Sequence, residues 1–497
     1  MNKVHLSKSK YCNCVQCEKM FWLSKYKPEC ARPEDKETIF ENGRKVGELA
    51  KGLFGEYEDI EFDLNLSNMI EKTNQLLPNK PNIITEASFS YDNNFCSVDI
   101  LKNDLDGVEI YEVKSSTSIK DIYLDDAAYQ YYVLSNLGLN VKKVFLVYVN
   151  NEYVLDGELD INEYFVIEDV SDIALLKQDE IRHRIQFINE YMEKYGPDNE
   201  PPKELSIDCF KPYGCDFWQY CSRNLPSPNI FDIRGMYNST KFKKYAAGKV
   251  SFEDLISERL SPKYKEQVDF ELNDRPAKIE REAIRDFLDS LKYPLYFIDY
   301  ESFQCPIPEY QMTKPYQQIP FQYSLHIIRE EGAPIEHKEF LGDIDDEKII
   351  RNFAESMISD LAEDGSVIVY NQVFEKSAVN KKLAIMFPDL SDEIERINSN
   401  IADIMDIFKN RNYYTKEMKG SYSIKYVLPA LYPNDPDLDY SNLDEVHNGG
   451  EASKTFLSLK GKSSEDQKKT RNNLLEYCKL DTWAMVKLWE KFREVLR

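Results

Sequence analysis

Two carboxylates, Asp299 and Glu301, lie two residues apart in the apolar run Leu295–Glu301 (LYFIDYE). Such a run predicts a buried central strand, and residues two apart on a strand project from the same face. Buried carboxylates without a partner are costly, and a divalent cation between them removes that cost. We therefore expect a metal site here; the alternative is a solvated strand end.

Residues of the same chemistry follow in the last third of the chain. Glu375 lies where a predicted strand, Ser366–Tyr370 (SVIVY), passes into a helix. Tyr477 and Asp481 are four residues apart in a predicted helix from Asn472 to about Val495, which places them on one helix face. A phenol and a carboxylate on one face can meet the same ligand.

Together these motifs resemble the DnaQ-like (DEDD) exonucleases of the ribonuclease-H-like superfamily, over about residues 290–497. The resemblance implies that Asp299, Glu301, Glu375 and Asp481 hold two Mg²⁺ or Mn²⁺ ions, and that Tyr477 marks the tyrosine (DEDDy) subtype with 3′→5′ polarity. Two ions about 4 Å apart would activate a water and stabilise the leaving 3′ oxygen. Tyr477 would orient that water rather than deprotonate it, since the ordinary pKa of tyrosine is about 10.

The second motif departs from this family, because Glu375 stands where aspartate is usual. Its longer side chain could still coordinate an ion. Asp403 or Asp406, in the segment IADIMDIF, is the alternative ligand.

A basic and aromatic segment, Lys409–Tyr426, follows these acids. Lysine and arginine contact phosphates, and tyrosine stacks on bases, so the segment predicts single-strand binding. The expected nucleic-acid contacts are Arg411, Tyr413, Lys416, Lys419 and Lys425. The alternative is an ordinary surface helix and loop whose tyrosines partly belong to the core.

The first half of the chain reads as mixed α/β. Its predicted elements are a helix over Glu37–Phe54, strands over Ile83–Tyr91, Phe95–Leu101 and Val108–Lys114, a helix over Leu124–Leu137 and a strand over Lys143–Asn150. The dipeptide Asp106-Gly107 predicts a hairpin turn. That hairpin would bring Asp99 beside Glu112 and Lys114, where the lysine could stabilise charge on a phosphorane. Solvated charges on a hairpin are the alternative.

This arrangement resembles the RecB-like PD-(D/E)XK nucleases, which have a restriction-endonuclease-like fold. The resemblance implies a site of Glu48, Asp99, Glu112, Lys114 and Gln130, with Asp99 and Glu112 as metal ligands. Glu86 is a further candidate ligand near the expected first strand.

Cysteines cluster at the two ends of this half. Cys209, Cys215 and Cys221 are evenly spaced, and Cys12, Cys14 and Cys17 lie near the start. One early and three late cysteines around a RecB-like core resemble the iron–sulfur nucleases, including CRISPR-associated RecB-like exonucleases. The resemblance implies a [4Fe-4S] cluster on Cys17, Cys209, Cys215 and Cys221. Thiolates alone also fit zinc, which the lack of close Cys-x2-Cys pairs in the late group, Cys209 to Cys221, disfavours. Cys12 and Cys14 are spare thiols or alternative ligands.

Length and charge set the frame for these sites. A chain of 497 residues predicts two or three domains. With the two resemblances, we expect a RecB-like domain over 1–225, a helical connector over 226–290 and a ribonuclease-H-like mixed sheet over 291–497. The net charge of −24 opposes non-specific polyanion binding, although metal-bound carboxylates offset part of it. The polar start, Met1 to Cys17, and the lack of long apolar runs predict a cytoplasmic protein without membrane contact.

We therefore expect a two-headed, metal-dependent nuclease that acts on nucleic acid, more readily DNA than RNA, in repair, recombination or defence. One alternative is a single-headed exonuclease whose N-terminal half only binds nucleic acid. Another is an interaction protein with solvated acids. No Gly-x4-Gly-Lys-Ser/Thr phosphate loop occurs, so unwinding would need a helicase partner.

Overall fold

The structure is a computed structural model that describes residues 4–33 and 37–497. Residues 1–3, part of the polar start considered above, lie outside this description. The chain divides into two compact units, one of residues 1–225 with 305–316 and one of residues 226–304 with 317–497. Both units are mixed α/β.

The first unit contains a twisted sheet flanked by helices. Its elements are β1 (Leu6–Ser7), α1 (Lys8–Gln16), α2 (Glu18–Tyr26), α3 (Glu37–Ala50), β2 (Glu58–Asp59), α4 (Leu66–Leu76), β3 (Asn82–Tyr91), β4 (Asn94–Asp104), β5 (Gly107–Lys114), α5 (Asp121–Asn136), β6 (Val141–Val149), α6 (Ile161–Tyr164), β7 (Phe165–Asp169), α7 (Ser171–Leu176), α8 (Gln178–Tyr195) and α9 (Trp218–Cys221).

The strand order in this sheet is β2-β3-β4-β5-β6-β7, and β1 pairs in parallel with β4. The β3–β4 and β4–β5 pairs are antiparallel, whereas β5–β6 is parallel. Strand β5 therefore lies inside the sheet, which explains why Val108, Ile110 and Tyr111 are buried. The predicted hairpin, helices and strands of this half are confirmed, with ends shifted by a few residues.

The second unit also has a central sheet. Its elements are α10 (Asn238–Ala246), α11 (Phe252–Leu255), α12 (Pro262–Asn273), β8 (Lys278–Ile279), α13 (Arg281–Ser290), β9 (Leu295–Phe303), β10 (Ile319–Ile328), β11 (Glu336–Leu341), α14 (Ile349–Asp360), β12 (Ser366–Val369), a π-helix (Phe374–Asn380), α15 (Lys381–Met386), α16 (Ser391–Ser399), β13 (Ile401–Asp403), α17 (Met405–Lys409), β14 (Tyr413–Tyr414), α18 (Ile424–Leu431), α19 (Gly449–Leu457) and α20 (Ser464–Leu496).

Strand β9 is the middle strand of a five-stranded mixed sheet, in the order β11-β10-β9-β12-β13. Its partner β10 is antiparallel and β12 is parallel. The expectation of a central strand around Asp299 is confirmed. Helix α20 begins at Ser464, earlier than predicted, because the Ser463 side chain caps it by accepting from the Asp466 amide at 3.2 Å.

The segment 226–290 is helical but does not form a separate connector, which corrects the sequence-based division. It belongs to the second unit, where β8 pairs antiparallel with β14 and Ile284 packs in the core beside Phe297. Residues 305–316 belong to the first unit. Over the ranges described, the helices are too short or too polar to cross a membrane.

A close backbone approach fixes the start of the β9–β12 pair. A Cβ atom at Gly365 would lie 2.1 Å from the carbonyl oxygen of Pro294. We expect Gly365→Ala to lower the free energy of unfolding of its unit by about 1–3 kcal/mol, because backbone must move. Urea denaturation followed by circular dichroism measures this.

Gly43→Ala is the matched control, since Gly43 lies in α3 with nothing within 4 Å of an added Cβ. This change should be neutral or stabilise by about 0.5–1 kcal/mol. Equal midpoints for the two variants would contradict the predicted clash.

Candidate functional site

Three carboxylates converge in the second unit. Oxygen atoms of Asp299, Glu301 and Asp481 lie within 4.8 Å of one another, and Glu301 is buried. The first two project from one face of β9, as expected, and the third comes from α20. The three acids form what we call the acidic centre, the arrangement that a divalent cation needs.

Buried polar contacts hold α20 against the sheet and so place Asp481. Thr482 hydrogen-bonds Ser324 of β10 at 2.8 Å, and Gln322 Nε2 donates to the Leu474 carbonyl at 2.7 Å. Because these groups are buried, displacing the helix would leave several of them without partners. The position of Asp481 is therefore fixed by the core rather than by a metal.

The electrostatics of the acidic centre favour a cation. Burial, and then repulsion by Asp481, raises the pKa values of Asp299 and Glu301 well above their usual range. Burial also raises the pKa of Asp481 to about 6, although Tyr440, Tyr477 and Lys425 oppose this rise. Three acids that resist ionisation together leave a strong local demand for positive charge.

Two tyrosines lie beside Asp481. Tyr440 donates its hydroxyl to Asp481 Oδ1 at 2.5 Å, and Tyr477, one helical turn earlier on α20, is near enough to lower the pKa of this carboxylate. Burial and the nearby carboxylates raise the pKa of Tyr477 far above its ordinary value, so its phenol stays protonated. Tyr440 was not predicted, because the loop that carries it (DPDLDYSN) has no periodicity or motif.

Glu375 lies in the π-helix beside this centre. It is 1% exposed, and its Oε2 atom has no hydrogen-bond partner among the described residues. Burial raises its pKa to about 8, and its charge in turn raises the pKa of Asp299. It is not one of the three acids that meet within 4.8 Å. Glu375 therefore lies beside the acidic centre and outside the group of three acids. Its buried, unpartnered carboxylate oxygen could still bind a metal ion.

Asp403 and Asp406, the alternative ligands, have other roles. Asp403 accepts backbone hydrogen bonds from Asn371 at 3.0 Å, Gln372 at 2.9 Å and Met405 at 3.0 Å. It thereby fixes the turn at Asn371, whose φ is 84°, that leads into the π-helix. Asp406 is half exposed and approaches Lys409 at 3.9 Å. Asp403 positions Glu375 rather than replacing it.

The basic segment divides into core and surface residues. Arg411 and Tyr413 are buried, and the Arg411 guanidinium lies 3.9 Å from the ring centroid of Tyr414, which corrects their assignment as nucleic-acid contacts. Their apolar surroundings in the core explain the burial. Lys419 and Lys425 are exposed, and Lys416 is half-buried, 3.8 Å from Asp274. Of the five predicted contacts, these three lysines stay available to phosphates.

A second charged centre lies in the first unit, around Glu112. Lys114 Nζ is 2.6 Å from Glu112 and 2.6 Å from Asp126, and Gln130 Nε2 donates to Glu112 at 2.6 Å. Asp99 accepts from the Val113 amide at 2.7 Å. The predicted set of Asp99, Glu112, Lys114 and Gln130 is therefore brought together.

Two members of this centre were missed by the sequence reasoning. Lys8 of α1 contacts both Glu112 oxygens, at 2.8 and 3.0 Å, and lies 3.7 Å from Asp99. Asp126 precedes Gln130 by one helical turn on α5, a spacing that could have revealed it. Lys8 carried no such signal, because it is 104 residues from Glu112.

These ion pairs set the ionisation of the centre. Burial alone would raise the pKa of Glu112, but Lys114 and Lys8 hold it well below its usual range. Asp99 has the opposite fate, since burial and then repulsion by Glu112 raise its pKa to about 8. Glu112 is therefore ionised at neutral pH.

Glu48 does not join this centre, which corrects its assignment. Its side chain is 69% exposed and pairs with Lys51 at 2.7 Å, because it lies on the outer face of α3. Glu86 lies nearer, since its charge raises the pKa of Asp99. Its φ of 55° interrupts β3 between the pairs Thr85–Ile100 and Ala87–Val98, opposite Asp99.

The four predicted cysteines line one cavity in the first unit. Cys17 comes from the α1–α2 junction, Cys209 and Cys215 from the late loop, and Cys221 from α9. Cys14 is buried in the core and Cys12 packs against it, and neither lines this cavity. The alternative that Cys12 or Cys14 supplies a ligand is not favoured.

The geometry of this cavity tests the two kinds of metal centre. Four sulfurs at about 2.3 Å from one tetrahedral zinc would lie about 3.8 Å apart. No three of these described cysteine sulfurs lie within 4.8 Å of one another. The four sulfurs are therefore not gathered as closely as the ligands of a single zinc ion. Burial raises the pKa of each thiol, that of Cys215 to about 12, so bound metal would be needed for the thiolate form.

Comparison with protein families gives one match. A family model described as a domain of unknown function (DUF2779) matches residues 296–423. This region includes Asp299, Glu301 and Glu375 and ends before Tyr477 and Asp481. Comparisons with curated proteins and with solved structures find no match. The match assigns no chemistry.

Replacing a cavity cysteine tests the cluster. A [4Fe-4S] cluster in this cavity would give anaerobically purified protein a brown visible absorption, which we expect Cys215→Ser to lose because a thiolate ligand is removed. Iron and sulfide analysis should fall with the absorption. Cys12→Ser is the control and should keep the colour. A colourless wild-type protein that contains stoichiometric zinc would contradict the cluster assignment.

Proposed function

We propose that this chain is a metal-dependent nuclease that hydrolyses phosphodiester bonds at the acidic centre. The observation that carries the proposal is the convergence of Asp299, Glu301 and Asp481 within 4.8 Å on a buried central strand and helix. Carboxylates in this number suit Mg²⁺ or Mn²⁺, which bind substrate phosphates. Burial argues against the alternative of solvated acids in an interaction protein.

The residues around the centre have separable roles. Bound ions would supply an activated water and stabilise the leaving oxygen. Asp299, Glu301 and Asp481 would hold the ions, and the unpartnered Oε2 of Glu375 would complete the set. Tyr440 fixes one oxygen of Asp481. Tyr477, protonated throughout the working pH range, would donate a hydrogen bond to the water or phosphate.

The finer assignment is to a DEDDy exonuclease of the ribonuclease-H-like superfamily with 3′→5′ polarity. A mixed sheet with both acids on its middle strand supports it, as does a tyrosine one helical turn before the last aspartate. DNA as the preferred substrate, and a role in repair, recombination or defence, remain part of this proposal. Lys419 and Lys425 are the exposed cations that would contact the strand.

For the first unit we propose a RecB-like domain that carries a [4Fe-4S] cluster. The spatial set of Asp99, Glu112, Lys114 and Gln130 supports the resemblance, and so does the cavity of four cysteines. Catalysis here would make the protein two-headed and would need a cation beside Glu112. The contacts of Lys8 favour the single-headed alternative, in which this unit binds nucleic acid. Lys114→Ala should then leave cleavage intact.

Loss of an acidic ligand should abolish cleavage. We expect Asp299→Asn to lower the rate on single-stranded or duplex DNA or RNA at least about a hundred-fold with Mg²⁺ or Mn²⁺, since metal ions contribute several kcal/mol. Tyr477→Phe should lower kcat about 10- to 100-fold, the effect of one hydrogen bond to a charged group. Gel assays with end-labelled strands measure both rates and the polarity.

Asp406→Asn is the matched control, because it removes a half-exposed acid of the same unit that lies outside the acidic centre, and it should keep full activity. Wild-type protein that cleaves none of these substrates with either metal would refute the proposal. Equal activity of Asp299→Asn and wild type would place the chemistry elsewhere.

The stabilisation of the fold by bound metal should depend on pH. Burial raises the pKa of Glu375 to about 8 and that of Asp481 to about 6, both higher than the pKa of a carboxyl group in the unfolded chain. The two groups therefore stabilise the metal-free fold at low pH, and this stabilisation is lost as the pH rises through these values. We expect Mn²⁺ to raise the melting temperature more at pH 8 than at pH 6. Differential scanning fluorimetry with and without metal measures this.

Glu375→Gln isolates one of these groups. The variant should be more stable than wild type at pH 8 without metal, because the amide cannot ionise, and should gain less from Mn²⁺. A metal-induced shift that does not change between pH 6 and 8 would contradict the assigned protonation.

A further inference from the structure

The centre around Glu112 already contains a cation that belongs to the chain. The Lys8 ammonium is 2.8 and 3.0 Å from the two oxygens of Glu112 and 3.7 Å from Asp99. A divalent ion bound by this carboxylate would lie about 2.0–2.6 Å from its oxygens. The ammonium and such an ion would therefore claim the same space.

The hydrogen-bonding capacity of Glu112 is also used up. Its Oε1 receives Lys8 and Lys114, and its Oε2 receives Lys8 and Gln130, at distances from 2.6 to 3.0 Å. A carboxylate offers about four lone-pair sites. The neighbouring acids do not compensate, since Asp99, Glu86 and Asp126 do not join Glu112 in any group of three ligand atoms within 4.8 Å among the described residues.

Contacts within the fold fix the start of α1 and thereby the position of Lys8. Its helix is clamped where β1 pairs with β4 and where the Tyr129 hydroxyl donates to the Leu6 carbonyl at 3.1 Å. Tyr11, on the next turn, stacks on Tyr129 with 4.7 Å between ring centroids. The Lys8 side chain is only 21% exposed.

The placement of Lys8 also opposes local helix preference. It is the first residue of α1, whose first turn carries Lys8 and Lys10 and no acid. Lysine is unfavourable there, because the helix dipole puts partial positive charge at that end. The acids of the centre supply the compensation, so the lysine belongs to the centre rather than to the helix.

We propose that Lys8 is a built-in counter-ion that closes the Glu112 centre to divalent cations, so that this unit does not hydrolyse nucleic acid with metal. The ammonium groups of Lys8 and Lys114 would then balance the charge of Glu112, which the resemblance to RecB-like nucleases assigns to a metal ion. This inference is independent of catalysis at the acidic centre, because it concerns only cation binding to Glu112.

Electron paramagnetic resonance of Mn²⁺ tests the proposal on the full chain. The starting protein carries Asp299→Asn and Asp481→Asn, which remove binding at the acidic centre. With Lys8 intact, Mn²⁺ binding should be the same with and without Glu112→Gln. Adding Lys8→Met should create about one further site per chain, with a dissociation constant at least about tenfold lower than any in the starting protein, and Glu112→Gln should abolish it.

Lys10→Met is the matched control, because it removes an exposed lysine from the same helical turn and should create no site. Circular dichroism and the visible spectrum report folding, and Lys8→Gln replaces Lys8→Met if the latter does not fold. Glu112-dependent binding with Lys8 intact would overturn the proposal. A folded Lys8→Met or Lys8→Gln protein without a new site would overturn it as well. Failure of nuclease activity alone would leave these Mn²⁺ results unaffected.

Discussion

The second unit buries acidic groups of like charge on its central strand, and their mutual repulsion is the constraint on which the rest of this unit depends. Asp299 and Glu301 point from one face of β9 toward Asp481 of α20, and burial raises the pKa values of all three. Nearby Lys425 is exposed and only partly offsets the repulsion. The core tolerates this arrangement because α20 is fixed by separate contacts, such as that between Thr482 and Ser324. A bound cation would reduce the repulsion among these three carboxylates.

The first unit meets a similar constraint in the opposite way. Glu112 is 1% exposed, yet Lys8, Lys114 and Gln130 surround its carboxylate. A buried carboxylate is stable when its charge is paired and its lone pairs are filled, and removing one partner is then strongly destabilising. The centre of the first unit therefore carries its cations in the chain, whereas the three acids of the second unit face one another. This contrast supports the proposal that metal-dependent chemistry belongs to the second unit.

The sequence predicted what depends on short-range pattern. The strand that carries Asp299, the hairpin before Glu112 and the three late cysteines were visible, because strand periodicity, turn chemistry and cysteine spacing are local, whereas Cys17 was assigned from the family resemblance. It failed where tertiary packing decides. Arg411 and Tyr413 are charged or amphipathic residues that the core nevertheless buries. Lys8, Tyr440 and the structural role of Asp403 depend on contacts between distant segments, which a single sequence does not record.

The cysteine cavity and Lys8 are connected by one helix, which gives the proposed cluster a role beyond its own site. Helix α1 runs from Lys8 to Gln16, and Cys17 caps its end. Gln16 donates to the carbonyls of Asp208 at 2.7 Å and Tyr213 at 2.8 Å. These two residues lie 192 and 197 positions after Gln16 in the sequence, so the bonds close a long loop. Closing so long a loop has a large entropic cost, which metal–thiolate bonds would offset far better than two exposed hydrogen bonds. A cluster at Cys17 would hold one end of α1, and the β1–β4 pairing holds the other. The lysine that fills the Glu112 centre is thus placed by contacts at both ends of its helix.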